Sequence, residues 1–425
     1  MGVYLSTPNT EINSEEGEGY DIKYAVGEIQ GWRKNMEDAH ISTTNLAPLD
    51  HSELDGDNVS VFGVFDGHGG KEVAKFCQVY FLRELTQIPE FCERKFDLAL
   101  KRCFHRMDDM IEDEQYDFQL QQFRKIPNPS DRKASITSNE SDHEQNGEDG
   151  RVSPPITAGK KLPLSEAMAL FQKLLNQQQE ANKLDNVTLT PLSQTSTPQP
   201  TPPLNESSQT NETEQDGRER KESLASSYSS AATMMCRLPD HRITAGCTAC
   251  VALKHGNELY VANAGDSRAV LCRGDGTAYA LSNDHKPNDK TELDRIIAAG
   301  GFVNHVGRVN GNLNLSRAIG DLKYKQSKHI TPPEQIITAD PDVTMTTLLP
   351  TDKFIIIACD GIWDCFTNQE ACNFISTRLD QGKNLSKIIE EVFEFCVSVD
   401  PRTTGGIGGD NMTCIIIKLN DETRK

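Results

Sequence analysis

The feature that most constrains the possible folds of this chain is an apolar run that ends at an acidic, glycine-rich turn. The run Val61–Phe65 is short and rich in Val and Phe, which is typical of a buried strand. It continues into Asp66–Gly70, with the sequence DGHGG. Glycine lets the backbone approach a ligand closely, and aspartate supplies the hard oxygen that Mg²⁺ or Mn²⁺ prefers. Taken alone, the turn fits a capped tight turn about as well as a metal site.

Carboxylates recur at the ends of other strand-like runs. The apolar run Phe354–Cys359 leads directly into Asp360, and Asp410 follows a glycine-rich segment just before the apolar run Met412–Ile417. Upstream, a basic residue precedes an acidic pair: Arg33, Glu37 and Asp38. A buried carboxylate without a partner is costly. Several of them at the ends of core strands therefore predict that a cation gathers them.

Taken in chain order, these four segments resemble the metal-dependent type 2C protein phosphatases. The resemblance continues through Ala262–Arg268, Asp284–Pro287 and Val309–Asp321. It covers roughly residues 20–112 and 240–420, which we interpret as the catalytic domain. The opening sequence MGVYLSTPNT and the long interruption after residue 112 are most similar to the gamma isoform of the family.

Strand-like runs and helical patterns occur in separate groups along the chain, which favours two stacked sheets flanked by helices. The resemblance implies the same α+β fold: a four-layer α-β-β-α sandwich of two antiparallel sheets, with the metal site at one end of the sheets. Helical spacing of apolar residues predicts five helices. They span residues 71–87, 94–112, 290–299, 368–379 and 385–398.

The composition changes at residues 113–239, where Gln, Ser, Thr, Asn, Glu and Pro dominate. Only 36% of the chain is hydrophobic and the mean hydropathy is -0.54, as expected when one part does not pack. Such a segment buries too little apolar surface to offset its ordering entropy, so we predict a mostly disordered insert. Ser165–Leu184 is an exception with a helical apolar stripe. It fits either a transient helix or a docking helix for a partner.

The resemblance also implies two divalent ions, Mg²⁺ or Mn²⁺, which neutralise phosphate charge and activate water as a bridging hydroxide. Asp66 would bridge both ions. Asp360 and Asp410 would bind one ion, while Glu37 and the backbone carbonyl of Gly67 would bind the other.

The remaining roles follow from the resemblance and the residue types together. Asp38 would orient metal-bound water, and Arg33 would hold the phosphate through its planar fork of donors. His68 is the candidate general acid, because imidazole titrates near neutral pH. Asp266 and Asp364 would hold a weaker third ion. Structural roles are expected for four other motif residues: His285, Lys286, Arg317 and Asp321.

Charge and the N-terminal pattern bear on partners and location. A net charge of -19 argues against direct binding of nucleic acid or anionic membrane. Gly2 with Ser6 fits the myristoylation pattern, and a single acyl chain gives only weak, reversible membrane association. No secretory signal is recognised, so we expect a protein of the cytoplasm, the nucleus or both. The family resemblance implies a monomer that acts on phosphoproteins.

Three functions compete at this point. The first is a protein-serine/threonine phosphatase. The second is a catalytically inactive relative that acts as a scaffold through its insert; such a relative is expected to lack ligands, whereas Glu37, Asp66, Asp360 and Asp410 are all present. The third is a metallophosphoesterase of another fold, which would need several histidine ligands where this chain has only His68 and His40 nearby.

Overall fold

The structure is a computed structural model that describes residues 4–46, 59–128 and 241–419. The predicted acylation site Gly2 and the predicted helix at 165–184 lie outside these ranges.

One sheet has six strands joined by antiparallel ladders. Its strands are β1 (Asn13–Glu18), β2 (Ile22–Ile29), β9 (Arg268–Cys272), β10 (Ala278–Ala280), β13 (Phe354–Ala358) and β14 (Met412–Leu419). They lie in the order β1-β2-β14-β13-β9-β10. The last strand of the chain is therefore placed between an early strand and a late one.

A second antiparallel sheet has five strands. They are β3 (Ala39–Thr43), β4 (Val59–Phe65), β7 (Ala249–His255), β8 (Glu258–Ala264) and β12 (Asp342–Thr347). Their order is β12-β8-β7-β4-β3, so β4 is flanked on both sides. A short third sheet, in the order β11-β6-β5, joins β5 (Gly67–His68), β6 (Gly246–Cys247) and β11 (Ile319–Gly320).

The core lies between the two larger sheets. Because side chains alternate across a strand, Ile355 and Ile357 of β13 face this core, where they join Phe62 and Val64 of β4. Ile356 points to the opposite face and packs in a second cluster with residues of three helices. This two-sided burial explains why β13 is a continuous apolar run rather than an alternating one.

The part of the chain that the structure describes contains eight α-helices, several of which cover the outer faces of the two sheets. They are α1 (Glu72–Gln87), α2 (Pro89–Cys92), α3 (Phe96–Glu112), α4 (Asp117–Arg124), α5 (Lys290–Ala298), α6 (Asp360–Trp363), α7 (Asn368–Asp380) and α8 (Leu385–Cys396). α3 contacts β8 and β12, and α8 contacts β2 and β14. The four-layer α-β-β-α sandwich predicted from the sequence is confirmed. Within the residues described, none of these helices combines the length and apolar character needed to cross a bilayer.

The ordered fold continues beyond the predicted domain boundary at residue 112. A 3-10 turn (Glu114–Tyr116) leads into α4, in which Leu120 and Phe123 are buried. Phe123 packs edge-on against Phe76 of α1, with ring centroids 6.5 Å apart. Residues 113–128 had the polar composition of the insert, but these two apolar side chains anchor them to the domain.

Arg317 is a largely buried residue that forms ion pairs, in agreement with the structural role expected from the sequence. Its guanidinium donates to both carboxylate oxygens of Glu292, and it also pairs with Asp342 at 2.8 Å. These contacts tie the segment after α5 to the edge strand β12. The predicted structural role of His285 also agrees with its contacts, since its Nε2 lies 3.2 Å from Asp342 Oδ2 and the backbone N–H of Gly265 donates to its Nδ1.

Candidate active site

All of the predicted catalytic and metal-binding residues except Asp38 and Asp364 line a cleft of about 300 Å³ at one end of the two larger sheets. Four chain segments supply most of its walls: residues 33–37, residues 66–69, Asp360 and residues 410–411. The ends of β4, β13 and β14 position these segments. A larger depression of about 640 Å³ around Lys353 and Leu419 contains none of the predicted site residues.

Carboxylates in the cleft lie close enough to repel one another. Burial raises the pKa of Asp66 well above its ordinary value, and four neighbouring carboxylates raise it further: Asp38, Asp360, Asp410 and Asp266. Burial likewise raises the pKa of Asp360, together with repulsion from Asp266, Asp410 and Asp364. A cluster of this kind is stable in its ionised form only when a cation neutralises it.

The donor set fits a hard divalent cation that keeps water ligands. Among the residues described, no group of three or more His, Cys, Asp or Glu side chains is close enough together to hold a metal ion. Mg²⁺ typically takes only one or two carboxylates directly and retains several waters, so an open arrangement of acids suits it. Oxygen ligands without cysteine or clustered histidine favour Mg²⁺ or Mn²⁺ over zinc.

Asp38 is buried behind this cluster, with 1% of its surface exposed. Thr413 Oγ1 donates to its Oδ2 at 2.7 Å, whereas no described residue donates to its Oδ1. The nearby thiol of Cys359 donates to the backbone carbonyl of Asn411 instead. Burial, with further repulsion from Asp410 and Glu28, raises the pKa of Asp38 to about 7. The unused oxygen makes Asp38 a ready acceptor for a bound water.

Arg33 occupies the rim of the cleft. Its guanidinium pairs with Asp410, and 47% of its side chain is exposed. Burial opposes the charge of Arg33, but the attraction of Asp410 outweighs it and raises the pKa of Arg33. The sequence predicted Arg33 as a phosphate ligand, and the structure adds that one of its donors holds a predicted metal ligand.

His68 is held by Asp321, for which the sequence predicted a structural role as a buried pairing or turn residue. Asp321 does have a left-handed backbone, with φ of 51°. Its Oδ2 also lies 2.6 Å from His68 Nε2, while no described residue bonds to the buried Nδ1 of His68. Burial opposes protonation of His68, but the charge of Asp321 outweighs this effect and raises the pKa of His68. The contact therefore favours an imidazolium that can donate a proton.

Close backbone contact brings Glu37 and Gly67 together. A Cβ built on Gly67 would lie 2.2 Å from the carbonyl oxygen of Glu37, so only glycine fits here. A Cβ on Gly361 would similarly lie 2.1 Å from the carbonyl oxygen of Asn411. These two approaches join the segments that carry the predicted metal ligands.

Asn411 is a site residue that the sequence analysis missed. Its Nδ2 donates to the carbonyls of Gln30 (2.8 Å) and Asn35 (2.9 Å), and its Oδ1 accepts from the backbone N–H of Glu37 (3.0 Å). These bonds fasten the end of β14 to the segment that carries Glu37. Its position directly after Asp410 was the available signal.

A second chain of hydrogen bonds reaches Glu37 from residue 128. Lys71 Nζ donates to Asn128 Oδ1 (2.7 Å), Asn128 Nδ2 donates to Asn35 Oδ1 (3.1 Å), and Asn35 Nδ2 donates to Glu37 Oε1 (3.2 Å). We call these residues the Lys71–Asn128 relay. It had no signal in the sequence, because Asn128 lies in a segment of polar, low-complexity composition.

Asp266 and Asp364, the predicted ligands of the third ion, lie near the acidic cluster but have different neighbours. Asp266 is 2% exposed and forms an ion pair of 2.6 Å with Lys286 Nζ. Asp364 lies one helical turn after Asp360, and burial raises its pKa even though Lys286 opposes that effect. Lys286 therefore acts on the acidic cluster directly and is more than the distant structural residue expected from the sequence.

Comparisons with known proteins show the family of this chain. The sequence profile of the family described as "Protein phosphatase 2C" matches residues 22–122 and 170–404. A protein of Oryza sativa subsp. japonica described as "Probable protein phosphatase 2C 11" is 36% identical over 99% of this chain and 91% of its own length. "Probable protein phosphatase 2C 3" of Paramecium tetraurelia is 36% identical over 99% of both chains.

Solved structures share the fold at low sequence identity. A serine-threonine phosphatase 2C from Toxoplasma gondii superimposes with a TM-score of 0.55 and 15% identity over 98% of this chain and 99% of that chain. A C. elegans sex determining protein gives a TM-score of 0.52 at 16% identity over 95% of this chain and 66% of that chain.

Proposed function

The chain belongs to the protein phosphatase 2C family and is a protein-serine/threonine phosphatase, and we propose that it hydrolyses phosphoserine and phosphothreonine with two Mg²⁺ or Mn²⁺ ions. The observation that carries this proposal is the cluster of mutually repelling carboxylates around Asp66, with Arg33 at its rim and His68 beside it. Each of these groups matches one requirement of phosphate ester hydrolysis.

The proposed ions would be held by Asp66, Asp360 and Asp410 on one side and by Asp66, Glu37 and the Gly67 carbonyl on the other. Bound there, divalent cations supply charge neutralisation and a nucleophilic water at neutral pH. Asp266 and Asp364 would hold a weaker third ion. The ammonium group of Lys286 competes with this ion for Asp266.

The chain's own groups perform the remaining tasks. Arg33 has a half-exposed guanidinium at the rim, which binds phosphate oxygens through parallel N–H donors and positions the ester for attack. Asp38 accepts a proton from the attacking water through its unused Oδ1. His68, kept protonated by Asp321, donates a proton to the serine or threonine oxygen that leaves.

The test is turnover of a phosphothreonine peptide by the full chain with Mn²⁺, with EDTA, and after Asp66→Asn. We expect Mn²⁺-dependent turnover that EDTA abolishes and that Asp66→Asn lowers by at least about 10²-fold, as expected when a principal electrostatic contact is lost. Asp97→Asn, the same change at an exposed position on α3, is the matched control and keeps wild-type turnover. Folded protein that is inactive with every divalent ion would instead support the scaffold alternative.

Finer assignments rest on sequence alone. The opening MGVYLSTPNT and the interruption after residue 112 support a relationship to the gamma isoform, and the Gly2 pattern supports N-myristoylation. A monomer located in the cytoplasm or nucleus also remains part of the proposal. Intact-mass spectrometry of protein from eukaryotic cells tests the acylation directly.

A further inference from the structure

A positively charged side chain, that of Lys34, lines the cleft and has no part in the proposed mechanism. Five of the residues lining it are acidic: Glu37, Asp66, Asp266, Asp360 and Asp410. Two of the lining residues are basic, Arg33 and Lys34, which are neighbours in sequence. Arg33 is engaged with Asp410, whereas Lys34 forms no ion pair within the residues described.

Lys34 is exposed, yet its backbone is firmly held. Gln30, which is 1% exposed, donates from Nε2 to the carbonyls of both Arg33 and Lys34 at 2.9 Å. On the other side of Lys34, Asn411 holds the carbonyl of Asn35. The backbone of Lys34 is thus fixed beside the cleft that it lines, so contact of its side chain with a ligand costs mainly side-chain entropy.

An exposed, unpaired ammonium beside the phosphate-binding arginine suits a second anionic group on the substrate. The protein carries a net charge of -19, so an acidic peptide approaching most of its surface is repelled. Local positive charge at the cleft mouth offsets that repulsion at the one place where the phosphate must enter.

We propose that Lys34 is a specificity-determining residue that favours phosphopeptides with an Asp or Glu next to the phosphorylated residue. This inference rests on the proposed phosphatase activity and names a substrate class for it. Arg33 binds the phosphoryl group, and Lys34 pairs with the flanking carboxylate.

The experiment compares two phosphothreonine peptides that differ only in flanking Asp or Asn, because these residues have nearly the same size. With Mn²⁺ and the full chain, we expect kcat/KM to be roughly three- to five-fold higher for the Asp peptide, the range expected for an exposed ion pair. The difference should lie in KM and should shrink in high salt, because exposed charges are screened. Lys34→Met should abolish the preference and Lys34→Glu should reverse it.

Lys353→Met is the matched control, since Lys353 is an exposed lysine in the distant depression and forms no ion pair within the described ranges. It should keep the wild-type preference. Equal kcat/KM for the two peptides in the wild type, or equal loss of preference in Lys353→Met and Lys34→Met, would overturn the inference. Failure of the wild type to hydrolyse either peptide or p-nitrophenyl phosphate would instead count against the proposed function itself.

Discussion

At the scale of single residues, His40 and Glu28 form a buried ion pair, and neither of them lines the cleft. His40 Nδ1 lies 2.6 Å from Glu28 Oε1, and both side chains are less than a tenth exposed. Burial opposes ionisation of both groups, but their mutual attraction outweighs it, and Glu15, 3.5 Å from His40 Nε2, adds to the effect on His40. The pKa of Glu28 falls to about 2, and the pKa of His40 rises to about 9. Ionised in this way, the pair joins β2 of one sheet to β3 of the other.

This pair predicts how stability depends on pH. Because the folded pKa of His40 exceeds its ordinary value of 6.5, its contribution is complete below pH 6.5 and is lost as the pH rises through about 9. Glu28 has a lowered pKa, so its contribution is complete above pH 4.5 and is lost toward pH 2. We expect the free energy of unfolding in EDTA to fall by about 1–2 kcal/mol between roughly pH 7.5 and 9.

Urea denaturation of Glu28→Gln isolates the effect of the pair. The variant should be less stable than the wild type at about pH 7.5 by up to several kcal/mol, because the buried imidazole loses the nearer of its two carboxylate partners and keeps only Glu15, 3.5 Å from Nε2. The part of the pH dependence of stability that His40 causes should shrink accordingly. Glu18→Gln, at an exposed position of β1, should behave like the wild type. A Glu28→Gln profile parallel to the wild type would contradict the assignment.

Single residues also show where sequence reasoning was sufficient. Asp66, Asp360 and Asp410 stand at the ends of apolar strands, so their convergence could be predicted from motif and periodicity. The contact between Asp321 and His68 could not be predicted in this way, because it joins residues far apart in sequence through an irregular turn. Whether the Arg33 guanidinium contacts Asp410 or a phosphate depends on side-chain geometry. The spacing of residues in the sequence does not encode that geometry.

At the scale of elements, the helices and strands were largely predictable, whereas the end of the domain's first half was not. Helical periodicity predicted α3, but α4 was not predicted because the sequence after Glu112 is mostly polar. Its stability comes from two buried apolar side chains packed on α1 rather than from composition. The consequence is that residues 126–128 reach the site through the Lys71–Asn128 relay.

The relay predicts that Asn128→Ala weakens metal binding without disrupting the fold. Loss of its amide frees Asn35 and, through it, the carboxylate of Glu37. Outer contacts of this kind typically contribute 10- to 100-fold in metal affinity, and we expect about 10-fold weaker Mn²⁺ binding by calorimetry. The Mn²⁺ concentration for half-maximal turnover should rise in parallel. Asn257→Ala, in the exposed turn between β7 and β8, is the control, and an unchanged Mn²⁺ affinity in Asn128→Ala would exclude the relay from metal binding.

At the scale of the whole molecule, we expect the acidic cluster proposed to bind metal to lower the stability of the metal-free protein. Without metal, the carboxylates around Asp66 repel one another across the end of the sandwich. Asp66→Asn removes one of them, so the metal-free variant should be more stable than the wild type by about 1–2 kcal/mol. Added Mn²⁺ should stabilise the wild type, by about 2.7 kcal/mol at 100 times its Kd, and should have little effect on the variant.

Thermal and urea unfolding in EDTA and in Mn²⁺ measure both effects. Asp97→Asn should match the wild type under both conditions. A metal-free Asp66→Asn protein that is less stable than the wild type would mean that Asp66 makes favourable contacts that outweigh the repulsion.

The place of β14 between β2 and β13 has a consequence for synthesis of the protein. Ile29 of β2 pairs with Met412, so a strand made early must wait for one made near residue 412. While the ribosome adds the intervening residues, β2 and one side of β13 present open edges, which are prone to pairing with other chains. Asp410 and Asn411 emerge just before β14. A nascent chain halted earlier therefore has an aggregation-prone sheet and no complete catalytic centre, so dephosphorylation begins only after this last strand has been made.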